Sequence, residues 1–414
     1  MNLSDVDLLS RDIFIPSVPH AWFDLLRRQA PIHHHDEPNG PGFWVFTKFD
    51  DCVALNRDWS TASSEQTRGG VVGLEEITPE ERELAETAQG AGARMMLTMD
   101  PPDHTRYRKL VSKGFTPRSI RLIEDHLRER TQRILDHALK DKDGEVDFVV
   151  DVAAELPLEA IAEFLGVPYE DRLKLFNWSN RMVGSEDPEY AIERAEVQQA
   201  FMEMFAYAHE LAEDRRTSPR DDLVSALIHG EIEGDKMSEM DFNMFFLLLS
   251  VAGNETTRNA ISHGMNYLLD HPEQYQMLVE DPSLVSSATE EILRCSTPVM
   301  YFRRNITKDM DYKGVQLKEG DKIALYFISA NRDEDHFEDP HTFNILREPN
   351  EHIAFGGGGP HFCLGANLAR MEIKVLFDEL VHRVPKIEKL KEPDRLRSNF
   401  INGLKHLPVK LIAA

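Results

Sequence analysis

The residue types best suited to chemistry lie close to the C-terminus, in Phe355-Gly-Gly-Gly-Gly-Pro-His-Phe-Cys363-Leu-Gly365. A lone cysteine is most often a buried, inert small hydrophobe. Cys363, however, is followed at once by an apolar-periodic segment, Ala366 to Val384, with Leu368, Ile373, Leu376, Phe377, Leu380 and Val381 in helical spacing. That spacing puts the thiol at a helix N-terminus, where unpaired N–H groups and the macrodipole favour thiolate over a free thiol of pKa about 8.5. Thiolate is the form that binds a metal. The surrounding glycines would let the backbone pass close under a large flat ligand.

A second segment carries polar groups where none are expected. Ser238-Glu-Met-Asp241 reads as a capping-box-like start, and Phe242 to Leu269 keeps helical period until Pro272. Its centre, Ala252-Gly253-Asn254-Glu255-Thr256-Thr257, sets an acid and two hydroxyls in an apolar helix, along with a glycine that costs about 1 kcal/mol relative to alanine. Threonine back-bonding and close packing would explain these residues structurally. Elsewhere, Glu291 and Arg294 stand at i and i+3, close enough to pair. His104 and Arg108 stand at i and i+4, and both can donate to a carboxylate.

Together these segments resemble the cytochrome P-450 superfamily. Its haem loop, Phe-Gly-x-Gly-x-His-x-Cys-x-Gly, is matched by Gly357, Gly359, His361, Cys363 and Gly365, with Phe355 one residue further from the cysteine than usual. The resemblance implies a mainly α fold with small β-sheets, one haem-enclosing domain over residues 1–414, and haem b with Cys363 as its axial ligand. Ala252 to Thr256 is similar to the family's oxygen-activation segment, which implies a dioxygen groove at Gly253 and Thr256 and proton routing by Glu255 and Thr256. By the same resemblance, Glu291, Arg294 and Arg347 form a structural ion pair. His104, Arg108, His361 and Arg304 (or its neighbour Arg303) hold the haem propionates.

A narrower likeness lies in Val251 to Asn259, Gly365 to Arg370, Ser329 to Asp333 and Asn402 to Lys405, which look like bacterial enzymes that hydroxylate the ends of sterol side chains and methyl-branched lipids. It implies a monooxygenase that inserts one atom of O2 into an unactivated C–H bond at a terminal methyl. A terpenoid or polyketide hydroxylase, a peroxide-driven peroxygenase and a haem sensor are the alternatives. Candidate substrate walls are Arg94 to Thr98, Lys174 to Gly184, Val251, Ala252, Val299, Met300, Phe400 and Ile401.

The 414 residues are 41% hydrophobic and 29% charged, enough for a large buried core. A net charge of −25 argues against nucleic acid and anionic membrane as partners. Against that background His104 to Arg118 holds Arg106, Arg108, Lys109, Lys113 and Arg118 and no acid. The resemblance puts this run on the haem's proximal side, where an acidic ferredoxin would dock. No flavin or nicotinamide fingerprint is present, so electrons are expected from a separate ferredoxin and an NAD(P)H-linked ferredoxin reductase. Cys52, Cys295 and Cys363 show no spacing for a disulfide framework or zinc site. The polar start, Met1 to Asp7, and an apolar run no longer than Met244 to Gly253 predict no signal peptide, no membrane anchor and a cytoplasmic location.

The positioning elements are mostly helices, predicted over Ser119 to Leu139, Ala153 to Leu165 and Pro188 to Arg216. Ile32 to His35 and Phe43 to Thr47 predict paired strands, and Tyr312 to Ser329 a hairpin-like region with turns at Lys313-Gly314 and Glu319 to Asp321. His33, His34 and His35 alternate faces, so they cannot converge on one metal and predict a solvated strand edge.

Overall fold

The apolar run behind Ser238 becomes one long central helix, Glu239–Asp270. In the computed structural model, which describes residues 1–76, 94–183, 187–190, 194–232 and 235–413, Ser238 Oγ caps it by accepting the Asp241 N–H at 3.0 Å. Pro272 opens the next helix, Pro272–Glu280, because its ring cannot continue the previous one. The central helix packs on helices Glu155–Leu165, Arg172–Val183, Arg194–Thr217, Val285–Ser296 and Ala366–Arg383. Phe242, Phe246, Leu268, Ile161 and Leu376 are buried in this one core. Each such side chain contributes roughly 1.5–3 kcal/mol on leaving water.

The expected mainly α fold with small sheets is what forms. The largest sheet has five strands in the order Ile32–His35, Phe43–Phe46, Lys322–Leu325, Phe302–Ile306 and Ala62–Ser63. Lys322–Leu325 runs parallel to Phe43–Phe46 and antiparallel to Phe302–Ile306. Residues some 240 or more positions apart thus share one sheet. The hairpin expected over Tyr312 to Ser329 is only half present. Lys313 and Gly314 turn with φ of 52° and 86°, and Tyr312 pairs with Val315. Lys322–Leu325, buried along its whole length, instead takes a central place in the larger sheet, where both edges find a partner. Phe327–Ala330 is a helical turn.

Other boundaries differ as well. Ser119 to Leu139 is broken at Ile123 into Pro117–Leu122 and Glu124–Asp136, followed by a π-turn at His137–Asp141. The helix expected from Pro188 begins at Arg194, Pro188 to Tyr190 forming a turn; residues 191–193 lie outside the described residues. His34 is exposed, but His35 is buried, stacks on Phe43 with centroids 4.8 Å apart, and accepts the Leu8 N–H at 3.0 Å. The N-terminal segment covers the edge that the histidines were expected to leave solvated. Among the described residues no helix is long and apolar enough to cross a membrane, and no three His, Cys, Asp or Glu side chains gather as a metal site.

Candidate active site

The central helix and the cysteine loop face each other across one cavity. Ala252, Thr256 and Ala260, one turn apart, and Gly253 and Thr257 beside them form one wall. A Cβ on Gly253 would meet Ile161 Cδ1 at 3.0 Å, so this glycine lets helix Glu155–Leu165 pack close. Thr256 Oγ1 donates to the Ala252 carbonyl at 2.8 Å.

On the opposite wall, Gly356, Gly357, Gly358 and Gly359 all have φ between 59° and 101°. Such a left-handed run absorbs the extra glycine, and the Cys363 N–H still closes the loop on the Phe355 carbonyl at 3.1 Å. The glycines do not make room for a flat ligand, as expected from the sequence. A Cβ at Gly357 would meet Val53 at 3.1 Å and one at Gly359 would meet the Asn56 carbonyl and Arg57 Cα at 2.9 Å, all in the helix Phe49–Arg57 behind the loop. Gly365 alone among the matched glycines opens on free space within 4 Å and lines the cavity.

Cys363 has open surface, and that surface faces the enclosed cavity instead of bulk water. Burial therefore pushes its thiol up, against hydrogen bonds from the Gly365 and Ala366 N–H groups and the Arg108 charge, which favour thiolate.

Four donors converge beside it. His104 and His361 have ring centroids 4.2 Å apart, and His104 Nδ1 and His361 Nε2 are buried without a hydrogen bond. Burial holds His104 down at about 4 and His361 well below the usual histidine range. Arg304 is buried and pushed down to about 10 by desolvation. Its guanidinium donates to the Arg303 carbonyl and Asn56 Oδ1, each at 2.8 Å, and to no carboxylate. Arg108 donates to the Phe362 carbonyl. Arg303 turns away from the cavity, to Asn305 Oδ1 at 2.8 Å and the Gly73 carbonyl at 3.0 Å.

Glu255 is not on the cavity wall, and no hydrogen bond joins it to Thr256. Its Oε2 meets the Arg258 guanidinium at 2.5 Å, and its Oε1 is buried and unbonded. Burial raises its pKa while Arg258 lowers it. The Arg258 guanidinium offsets part of the cost of burying this carboxylate. Glu291, Arg294 and Arg347 do meet. Arg294 holds Glu291 through two bonds of 2.8 Å, both side chains fully buried, and Arg347 Nε reaches Glu291 Oε2 at 3.2 Å.

Of the expected substrate walls, Ala252, Val299 and, within Arg94 to Thr98, Met96 and Leu97 line the cavity. Val251, Met300, Phe400, Ile401 and the described part of Lys174 to Gly184 do not; Gly184 lies outside the described residues. Met300 follows Val299 in extended chain, points the opposite way and is buried beside Tyr301 and Tyr326. Phe400 packs edge-on against Tyr301 and Phe302, and Ile401 forms a bridge with Val299.

Two polar wall residues, Asn56 and Glu372, escaped the sequence reading. Asn56 Nδ2 donates to the Gly356 carbonyl and to the Gly358 carbonyl at 2.9 Å, while Arg57 Nε donates to Gly357 at 2.9 Å. The apolar spacing of Phe49, Cys52, Val53 and Leu55 could have placed that helix, but nothing local marks Asn56. Glu372, on the cysteine helix, is buried with Oε2 unbonded, and burial pushes its carboxyl well above the usual range.

The cytochrome P450 family model matches residues 78–399. The steroid C26-monooxygenase of Rhodococcus jostii (strain RHA1) is 42% identical over 409 residues, covering 97% of this chain and 84% of that protein. The methyl-branched lipid omega-hydroxylase of Mycobacterium tuberculosis (strain ATCC 25618 / H37Rv) is 41% identical over 417 residues, 98% of this chain and 95% of that one. The structure of Mycobacterium marinum cytochrome P450 CYP268A2 in complex with pseudoionone superposes with a TM-score of 0.89 at 38% identity, over 98% of each chain. Agreement of this extent, in sequence and in fold, makes the chain a member of the cytochrome P450 family, oxidoreductases built on a cysteine-ligated haem.

Proposed function

We propose that the protein is a haem-thiolate monooxygenase that hydroxylates the terminal methyl of a sterol side chain or a methyl-branched lipid. The observation that carries this reading is the wall between Thr256 and Cys363. Leu248, Leu249, Ala252, Val299 and Phe302 make it apolar and suited to a hydrocarbon end. The names of the relatives, steroid C26-monooxygenase and methyl-branched lipid omega-hydroxylase, support the same substrate class.

The residues present fit the family's haem. Cys363 would be the axial ligand. Gly365 leaves space beside it, and Gly357 lets the loop bend. The unsatisfied nitrogens of His104 and His361, beside the Arg108 and Arg304 guanidiniums, form a polar, cationic set that two propionates would suit. When bound, the haem supplies the oxidising chemistry, with thiolate donation favouring O–O cleavage. The chain's own part is to hold the lipid end at Ala252 and Val299, to leave a groove at Gly253 and Thr256, and to pass protons through Glu255 and Thr256.

The family takes electrons from redox partners, and we assign that role to a ferredoxin with its NAD(P)H-linked reductase. Lys109 and Arg118 are exposed in the acid-free run of an otherwise very acidic chain; the Lys113 side chain lies outside the described residues. A cytoplasmic location and a single haem-enclosing unit over residues 1–414 complete the reading.

Titrating the holoenzyme with sterols, methyl-branched fatty acids and terpenes tests it. A low-spin to high-spin shift with the first two classes, and a terminal alcohol formed with O2, NADH, ferredoxin and reductase, is the expected result. Shifts with terpenes alone, or product formed only from added peroxide, would overturn it.

A further inference from the structure

Arg332, just after the helical turn Phe327–Ala330, carries a deeply buried charge that the fold leaves unanswered, with only 5% of the residue exposed. Its Nη2 donates to the Cys295 carbonyl at 2.8 Å, and the Tyr267 hydroxyl donates to the same oxygen at 3.1 Å. Two donors use both lone pairs of that carbonyl. Arg332 Nη1 is buried without a hydrogen bond, and so is Nδ1 of His20, at the start of helix His20–Gln29. A second guanidinium joins them from strand Asp394–Arg395. Arg395 Nε donates to the Phe14 carbonyl at 3.1 Å and its Nη2 to Asn402 Oδ1 at 2.8 Å. The Asn402 carbonyl meets His263 Nε2 at 3.1 Å, and the His263 ring lies 6.0 Å from that of Tyr267.

Among the described residues, the hydrogen bonds of both guanidiniums end on carbonyl and amide oxygens and on no carboxylate. The neighbouring cation Arg27 takes two acids for itself, pairing with Asp24 and, at 2.7 Å, with Glu334, while its Nη1 donates to Ser329 Oγ at 2.9 Å. The charges around His20 agree. Burial lowers its pKa most, and Arg332, His341, Arg27 and Arg395, in that order, lower it further. Arg332 thus acts on His20 more strongly than any other charge, which sets the two close together. A buried cation with an open donor is costly. Water would answer the donor and leave the charge, whereas a small anion answers both.

We propose that Arg332 Nη1 and His20 Nδ1, with Arg395 alongside, form a binding site for one halide ion, chloride in the cell. His20 donates in the tautomer that carries its proton on Nδ1. An oxyanion would bring more acceptors than these two open nitrogens can satisfy. The ion braces the corner that carries part of the substrate wall. Arg332 holds the end of helix Val285–Ser296 at Cys295, and Asn402, oriented by Arg395, donates its side chain to the Ser296 carbonyl and its N–H to the Pro298 carbonyl at 2.9 Å. Pro298 and Val299 line the cavity. The ion is a structural ligand and takes no part in electron or proton transfer.

Anomalous diffraction from holoenzyme crystals soaked in bromide tests the site directly, and thermal unfolding in chloride against gluconate at matched ionic strength tests it in solution. The expected results are a bromide peak between Arg332 and His20 and a saturable rise in Tm of about 1–3 °C with chloride. Arg332→Met should lose both. His20→Phe, which keeps both guanidiniums, should raise the chloride midpoint about tenfold, and it carries the test should the methionine variant fail to fold. Water refined in place of bromide, or a Tm indifferent to chloride, would overturn the proposal. So would a bromide peak without any thermal effect, which is binding at crystal concentration only. A chloride effect unchanged in these variants would put the ion elsewhere and overturn it as well.

Discussion

Asn56 Oδ1 accepts a hydrogen bond from Arg304 at 2.8 Å while its Nδ2 donates to the Gly358 carbonyl at 2.9 Å. One amide thereby ties helix Phe49–Arg57, strand Phe302–Ile306 and the glycine loop to a common geometry. Its removal would leave a buried guanidinium hydrogen and two loop carbonyls without partners. Asn56→Ala should lower stability by about 1–3 kcal/mol and reduce haem retention. Thermal unfolding and the haem-to-protein absorbance ratio measure both, and unchanged values would remove Asn56 from the site.

Cys363→Ala should abolish the red-shifted Soret band of the reduced carbon monoxide adduct that thiolate donation produces. A wild-type adduct lacking that band in freshly folded protein would count against Cys363 as the ligand.

Thr256→Ala should keep haem and substrate binding while NADH consumption is diverted from alcohol to hydrogen peroxide. Thr256 Oγ1 bonds only the preceding turn, at Ala252, so its loss leaves the helix intact. Unaltered coupling would take Thr256 out of proton delivery.

Reversing Lys109 and Arg118 to glutamate should slow ferredoxin association and flatten its dependence on ionic strength, because long-range attraction steers an acidic partner. Substrate affinity should not move. Electron-transfer rates with the same salt profile as the wild type would reduce this run to a solvated face.

Glu290 joins helix Val285–Ser296 to the cysteine helix, through Arg370 at 2.7 and 2.9 Å and His352 at 3.1 Å. Burial pushes its carboxyl up, but the His352 and Arg370 hydrogen bonds outweigh burial and hold it at about 2. The folded value is depressed, so the stabilisation is present above the unfolded value of 4.5 and is lost as pH falls through about 2. Glu290→Gln should cost about 1–2 kcal/mol at neutral pH after allowance for solvent screening. The difference from wild type should shrink below pH 4.5. Denaturant melts across that range check it, and a pH-independent difference would contradict the ion pair.

Local sequence determined the central and cysteine helices, because apolar period, the Ser238 cap and the Pro272 stop act within a few residues of one another. It also brought His104, Arg108, Arg304, His361, Cys363 and Thr256 into consideration, and all of them line one cavity. Tertiary structure alone decided what depends on neighbours distant in the chain. Lys322–Leu325 found its partners in two strands that no turn connects to it. Asn56 reached the glycine loop across some three hundred residues. Glu255, adjacent to Thr256 in sequence, was turned away by Arg258 and the packing of helix Arg172–Val183 behind it. The Cys363 thiol, set at a helix N-terminus by its sequence, was brought by packing to the same cavity as Arg108 and Arg304. Periodicity reports which face of an element is apolar, whereas desolvation and pairing depend on what the rest of the chain brings against that face.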